Sequence, residues 1–222
     1  MKFVGIIPAR YASTRFPGKP LAMLGGKPVI QRVYEQVKVC FDDLYVATDD
    51  DRIKEAVLAF GGKVVMTSAD CKNGTERCLD AYRSLAIDCD VIVNIQGDEP
   101  NVEHSQIETL VRCFEEKDTQ IATLKKQIFL KDELFSPNVV KVVCGINSEA
   151  VYFSRFAIPY MRGIDENEWL QKQKYYKHIG VYAYRCDVLK ELVELKQTEL
   201  EIAESLEQLR WIENGFKIKV EE

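Results

Sequence analysis

Short apolar runs recur through the first half of the chain, each followed by a longer amphipathic stretch. Val4–Ile7, "LYVATD", "KVVM" and "VIVNI" are too short for helices, and their apolar cores carry no polar face, which is how strands buried on both sides read. The stretches between them have the other period. "KPVIQRVYEQVKVC" spaces Val29, Ile30, Val33, Val37 and Cys40 as a helix does. "DDRIKEAVLAFGG" predicts a helix closed by Gly61 and Gly62. "TERCLDAYRSLA" predicts another, with Thr75 as candidate N-cap, and "SQIETLVRCFEE" a fourth before the strand "IATLKK". Strands alternating with helices in this way cannot be joined by hairpins, so they require βαβ crossovers and a mostly parallel sheet: an α/β, Rossmann-like, three-layer architecture.

After residue 137 the texture changes. "NVVKVVCG" and "AVYFSR" predict consecutive strands, "MRGIDENEWLQKQKYYK" a polar excursion, and "HIGVYAYR" a cleanly alternating strand. Helices near 187–196 and 206–214 and a final strand "FKIKV" follow. No linker separates residues 1–137 from 138–222, so a single domain with an antiparallel extension is expected.

Composition narrows the functional classes. Hydrophobic residues make up 46% and charged residues 29%, enough for a sizeable core. No run is long enough to span a membrane, and the N-terminus lacks a signal-peptide pattern, so a cytoplasmic location with no membrane partner is expected. A net charge of −5 disfavours nucleic acid as a partner. The seven scattered cysteines include no C-x-x-C, and there are only two histidines, which argues against a zinc site or a disulfide framework. An acidic chain that binds an anion must concentrate its cations locally, and "IIPARYASTRFPGKPL" does so with Arg10, Arg15 and Lys19 beside the hydroxyls of Ser13 and Thr14.

Ligands of open α/β sheets sit beyond the carboxyl ends of the strands. The loop Pro8–Lys19 follows the first strand, and Gln96–Pro100 follows "VIVNI"; both are expected to border one cleft. Phosphate oxygens take N–H donors, hydroxyls and fixed positive charge, which the first loop offers, although a solvated cationic loop has the same composition. Neither G-x-x-x-x-G-K-[ST] nor G-x-G-x-x-G is present. Asp98, after Gly97, suits Mg²⁺ against phosphate oxygens, and it equally suits a plain Gly-Asp turn.

Longer motifs decide more. "FVGIIPARYASTRFPGKPL", "VATDDDRI", "NGTERC", "VIVNIQGDEP", "PNVVKVV", "YFSR" with "IPY", "HIGVYAYR" and "LEQLR" run in order from residue 2 to about 220. With them the chain resembles the 3-deoxy-manno-octulosonate (Kdo) cytidylyltransferases, or CMP-Kdo synthetases, of the nucleotide-sugar pyrophosphorylase-like group. The resemblance implies an enzyme that joins CTP and Kdo into CMP-Kdo and pyrophosphate with Mg²⁺, for lipopolysaccharide assembly, as a homodimer. Residues 1–137 would form the nucleotide-binding half, and 138–222 the sugar-binding and dimerisation half. CTP would be held by Pro8, Ala9, Arg10, Ser13, Arg15, Lys19, Gly74, Thr75, Arg77 and Gln96. Arg10, Lys19 and Asp98 would act on the reacting phosphates, with Asp98 the metal ligand. Gln96 would read the cytosine edge, or make only a strand-end hydrogen bond.

Kdo adds a carboxylate, for which Arg155 offers a fork, and several hydroxyls. On an extended strand His178, Gly180, Tyr182 and Tyr184 share one face, which suits a sugar or a subunit interface. The resemblance implies His178 and Tyr182 as Kdo contacts, with Glu207 and Gln208 at its hydroxyls. Residues 155–185 would carry the dimer contact. Ser205 and Gln208 also fit a capping box, which competes for the Gln208 side chain. Relatives are expected to continue beyond "KIKVEE" with an aspartate that supplies a second magnesium ligand and a final helix, and neither stands in these 222 residues. Two other readings share the nucleotide motifs: a CMP-sialic-acid-type synthetase for another acid sugar, and a nucleotide-binding protein without catalysis.

Overall fold

The computed structural model describes residues 1–12 and 16–222. From the N-terminus the elements are β1 (Phe3–Ala9), a two-residue hairpin of β2 (Met23–Leu24) and β3 (Lys27–Pro28), α1 (Val29–Val37), β4 (Leu44–Thr48), α2 (Asp51–Ala59), β5 (Val64–Met66), α3 (Gly74–Leu85), β6 (Val91–Asn94) and α4 (His104–Arg112). There follow β7 (Ile121–Ile128), α5 (Lys131–Phe135), β8 (Lys141–Cys144), β9 (Ala150–Ser154), α6 (Trp169–Lys172), β10 (Tyr175–Arg185), α7 (Cys186–Glu194), α8 (Glu199–Glu204), α9 (Glu207–Glu213) and β11 (Ile218–Glu221). The α/β, Rossmann-like reading holds, with helices on both sides of a mostly parallel sheet that has an antiparallel part.

The chain forms two compact units, Met1–Val111 with Val181–Val193, and Arg112–Gly180 with Glu194–Glu222. The change of texture at residue 137 falls inside the second unit.

In the first unit β1 pairs in parallel with β4 on one side and β6 on the other, and β5 extends the sheet beyond β4. The last residues of β10 close the opposite edge, antiparallel to β6, with Tyr182 opposite Asn94. The parallel strands read as apolar runs because both their faces are covered: Val4, Ile6, Ile7, Val46 and Val91–Val93 are fully buried. Two helix starts are set by short polar side chains. Asp50 accepts from the amide of Arg52 to cap α2, and Asn73 accepts from the amide of Glu76 to cap α3. The expected cap, Thr75, lies instead inside the first turn of α3 and is buried, because the asparagine two residues earlier already serves the free amides.

In the second unit β7 pairs in parallel with β11, β8 pairs antiparallel with β9, and Lys177 of β10 stands opposite Lys141. Ile128, Leu134, Ala157, Trp169 and Tyr175 form one of its cores, with Trp169 and Tyr175 stacked 5.9 Å apart. The "polar excursion" supplies the buried Trp169, so it is not a detached loop. A short helix, α8, was not expected, and its end overturns the capping-box reading. Ser205 sits at φ 52°, ψ 49° as the left-handed residue closing α8, and Leu206 precedes α9 without a side-chain cap. Ser205 therefore ends one helix, and no side chain caps the next.

Candidate active site

The site grows out of the carboxyl end of the parallel sheet in the first unit. β1 ends at Pro8 and Ala9, and the chain leaves it through the exposed Arg10. Gly18 takes φ 71°, which its lack of a side chain permits, and its amide donates to the Tyr11 carbonyl at 2.9 Å. A Cβ there would lie 2.9 Å from the Tyr11 ring. That ring carries the Arg52 guanidinium 3.3 Å from its centroid, and Arg52 is held in turn by two hydrogen bonds to Asp50. A 3₁₀ turn, Lys19–Leu21, then presents Lys19. Ser13, Thr14 and Arg15 lie outside the described residues.

After β6 a second loop approaches the first. Gly97 permits this, since a Cβ there would fall 2.8 Å from the Pro8 carbonyl oxygen. Lys19 Nζ donates to Asp98 Oδ2 at 2.7 Å and joins the two loops by an ion pair. Burial, and secondarily the Asp98 charge, raise the Glu99 carboxyl above its ordinary range.

The third wall is the start of α3. Arg77 is almost fully buried; its Nη1 donates to Thr67 Oγ1 at 2.6 Å and its Nη2 to Asp49 Oδ2 at 3.3 Å. Together the three walls enclose a cavity of about 320 Å³. Of the expected nucleotide residues, Pro8, Ala9, Arg10, Lys19, Gly74, Arg77 and Gln96 line it, as does the expected metal ligand Asp98, whereas the buried Thr75 does not. Gly97, in the loop expected to border the cleft, also lines it, as do Pro20, Cys71, Lys72 and Asn73, which were missed in the sequence. The asparagine directly before a helical period was the available signal.

Such a cavity suits a polyphosphate. The start of a twelve-residue helix lines it, and cations stand on two sides. Magnesium keeps several waters and takes one or two carboxylates plus phosphate oxygens, so the lone Asp98 carboxylate at the mouth fits it. Among the described residues no cluster of three or more His, Cys, Asp or Glu side chains could hold a metal without that help.

The expected sugar residues have different surroundings. Arg155 uses Nε, Nη1 and Nη2 to donate to the main-chain carbonyls of Glu204, Pro137 and Ser205 at 2.7, 3.1 and 3.2 Å. Glu204 answers by accepting from the Arg155 amide and from Ser154 Oγ. The fork is thus engaged by the protein's own backbone. His178 Nε2 lies 3.0 Å from Thr123 Oγ1, and its ring meets Phe153 edge-on at 5.0 Å; burial holds its pKa down to about 3. In the first unit Tyr182 is buried and stacks on Tyr184 at 5.8 Å. Glu207 accepts from Arg210 at 3.0 Å, and Gln208 is buried.

A parallel sheet whose carboxyl end opens into a cationic pocket beside one aspartate suits a nucleotide's phosphates, and the comparisons with known proteins make the chain a nucleotidyltransferase. The family described as cytidylyltransferase matches residues 4–218. The 3-deoxy-manno-octulosonate cytidylyltransferase of Phocaeicola vulgatus is 62% identical over 99% of this chain and 88% of its own length. That of Geobacter metallireducens is 46% identical over 100% and 90%. A solved CMP:2-keto-3-deoxy-manno-octonic acid synthetase complexed with CTP superposes with a TM-score of 0.91 at 42% identity, covering 100% of this chain and 90% of that one. A nucleotidyl transferase from Methanothermobacter, at 17% identity and a TM-score of 0.61, shares the fold. The chain belongs to the 3-deoxy-manno-octulosonate cytidylyltransferase family.

Proposed function

We infer that the protein joins CTP and Kdo into CMP-Kdo with release of pyrophosphate. The observation that carries this reading is the near-full-length identity to Kdo cytidylyltransferases, combined with the superposition on a CTP-bound synthetase. The anomeric hydroxyl of Kdo attacks the α-phosphorus in line, and pyrophosphate departs. Arg10 and Lys19 take up the charge that develops on the leaving oxygens, and the α3 N-terminus with Arg77 fixes the nucleotide. Ser13 and Arg15 are assigned to the same phosphates. Gln96 faces the base. Asp98 would hold Mg²⁺, which supplies further charge neutralisation at the phosphates. The mechanism requires no side-chain base.

His178, Tyr182, Glu207 and Gln208 are assigned to the sugar. The His178 ring stays neutral there because burial opposes its charge, so it serves as a hydrogen-bonding group and not as a fixed cation. Arg155 is assigned to the sugar carboxylate through its remaining N–H groups. The second unit also exposes Phe156 and Tyr160 at 73% and 70%, which supports a homodimer contact through the stretch 155–185. Among the described residues no helix is long and apolar enough to cross a membrane; the reading places the enzyme in the cytoplasm, where it would supply lipopolysaccharide assembly.

The test is pyrophosphate release on mixing CTP, Kdo and Mg²⁺, with sialic acid and the other nucleoside triphosphates as controls. Release with CTP and Kdo alone is expected. Release with sialic acid in place of Kdo would reassign the acid sugar, and silence in every mixture would leave a nucleotide binder.

A further inference from the structure

Apart from the cleft, the first unit brings a nucleophile, a base and a carboxylate into one line. Cys40 Sγ lies 2.8 Å from His104 Nδ1, and His104 Nε2 lies 3.0 Å from Glu108 Oε1. Cys40 ends the short turn after α1, whereas His104 and Glu108 stand one turn apart on α4, 64 residues further along the chain. None of the three lines the nucleotide cavity. Cys40 is partly exposed, and the His104 and Glu108 side chains are 49% and 55% exposed, so a small reagent can reach them.

The protons follow from the partners. A carboxylate only accepts, so the ring proton is on Nε2 and donates to Glu108. Nδ1 is then the acceptor, and the Cys40 S–H donates to it. Burial and the Glu108 charge raise the thiol above its ordinary range, so Cys40 rests as a thiol and not as a thiolate. This is the arrangement in which a neighbouring base takes the proton as the sulfur attacks.

We propose that Cys40 is a modification site for low-molecular-weight disulfides, with His104 as its base and Glu108 positioning the ring. The Cys40 proton passes to Nδ1, and the sulfur attacks one sulfur of the disulfide. A protein–reagent S–S bond forms as the reagent's own S–S bond breaks. The proton on Nδ1 then goes to the departing thiolate where that is the stronger base, and otherwise to water. One protein thiol and one disulfide become one mixed disulfide and one small thiol, with no change in electron count. The other half-exposed candidate near a functional surface, Cys71, lines the nucleotide cavity, so CTP distinguishes the two.

The experiment treats the folded protein with a sub-stoichiometric amount of 5,5′-dithiobis(2-nitrobenzoate), follows thiol release, and maps the labelled peptide. The expected result is a fast phase carried by Cys40, absent in Cys40→Ser, unaffected by CTP, and slowed about tenfold or more in His104→Gln at unchanged melting temperature. Glu108→Ala should slow it and Glu108→Gln restore most of the rate, since the amide oxygen still accepts from Nε2. A neutral disulfide, 2,2′-dithiodipyridine, should give the same order of variants and so exclude attraction of the anionic reagent as the cause. A first label on Cys71 or any other cysteine, or a rate unchanged in His104→Gln, overturns the proposal. Pyrophosphate release by Cys40→Ser is expected at the unmodified level.

Discussion

Asp98 and Lys19 neutralise each other at the cleft mouth. Both are partly exposed, so the pair is worth no more than about 1 kcal/mol and yields easily to a ligand. Asp98→Asn should lower magnesium-dependent turnover by about a hundredfold or more with the circular dichroism spectrum unchanged, and near-normal turnover would remove Asp98 from the metal role. His178 makes a second residue-level prediction. Its folded-state pKa of about 3 lies below the ordinary value of 6.5, so the unfolded chain binds the extra proton first. Its contribution is therefore fully present above about pH 6.5 and is lost as pH falls towards about 3, at no more than about 1.4 kcal/mol per pH unit. Urea unfolding across that window should show a smaller acid loss in His178→Gln than in the parent. Residues were the least legible scale in the sequence. Arg155 could be read as a carboxylate fork, but its three acceptors come from positions 137, 204 and 205, a distribution that no local pattern encodes.

At the scale of elements the parallel strands and their helices were legible because burial on both faces leaves an unbroken apolar run, and one-sided burial leaves a helical period. Where the reading failed, two local signals competed. Asn73 and Thr75 both suit a helix start, and the first in the chain won. Ser205 with Gln208 spells a cap, yet the residue ends one helix before the next begins, and a positive φ at serine has no sequence signature. Asn73→Ala should cost about 1 kcal/mol in urea unfolding and also raise the KM for CTP, since the same residue lines the cavity. The Arg155–Glu204 web ties β9 to the end of α8. Arg155→Lys keeps the charge but not the fork, and should cost about 2–4 kcal/mol of unfolding free energy. A rise in KM for Kdo at unchanged stability would instead show that the guanidinium spends itself on substrate.

For the whole molecule, ligand linkage gives the simplest check. CTP with Mg²⁺ at a hundred times its Kd should stabilise the folded chain by about 2.7 kcal/mol, a rise in melting temperature of about 5–10 °C. No rise would contradict the assignment of the cationic cavity to the nucleotide. The path of the chain has a consequence of another kind. It passes between the two units after residues 111, 180 and 193, so neither unit is one continuous stretch. During synthesis, β6 emerges long before the part of β10 that pairs with it, Tyr182–Arg185. Until then the growing chain carries an unpaired edge on an apolar strand, the feature through which nascent proteins stick to one another. Completion of the nucleotide-binding unit is thus delayed until most of the polypeptide has left the ribosome, and a messenger broken before that point encodes a fragment for the cell's proteases.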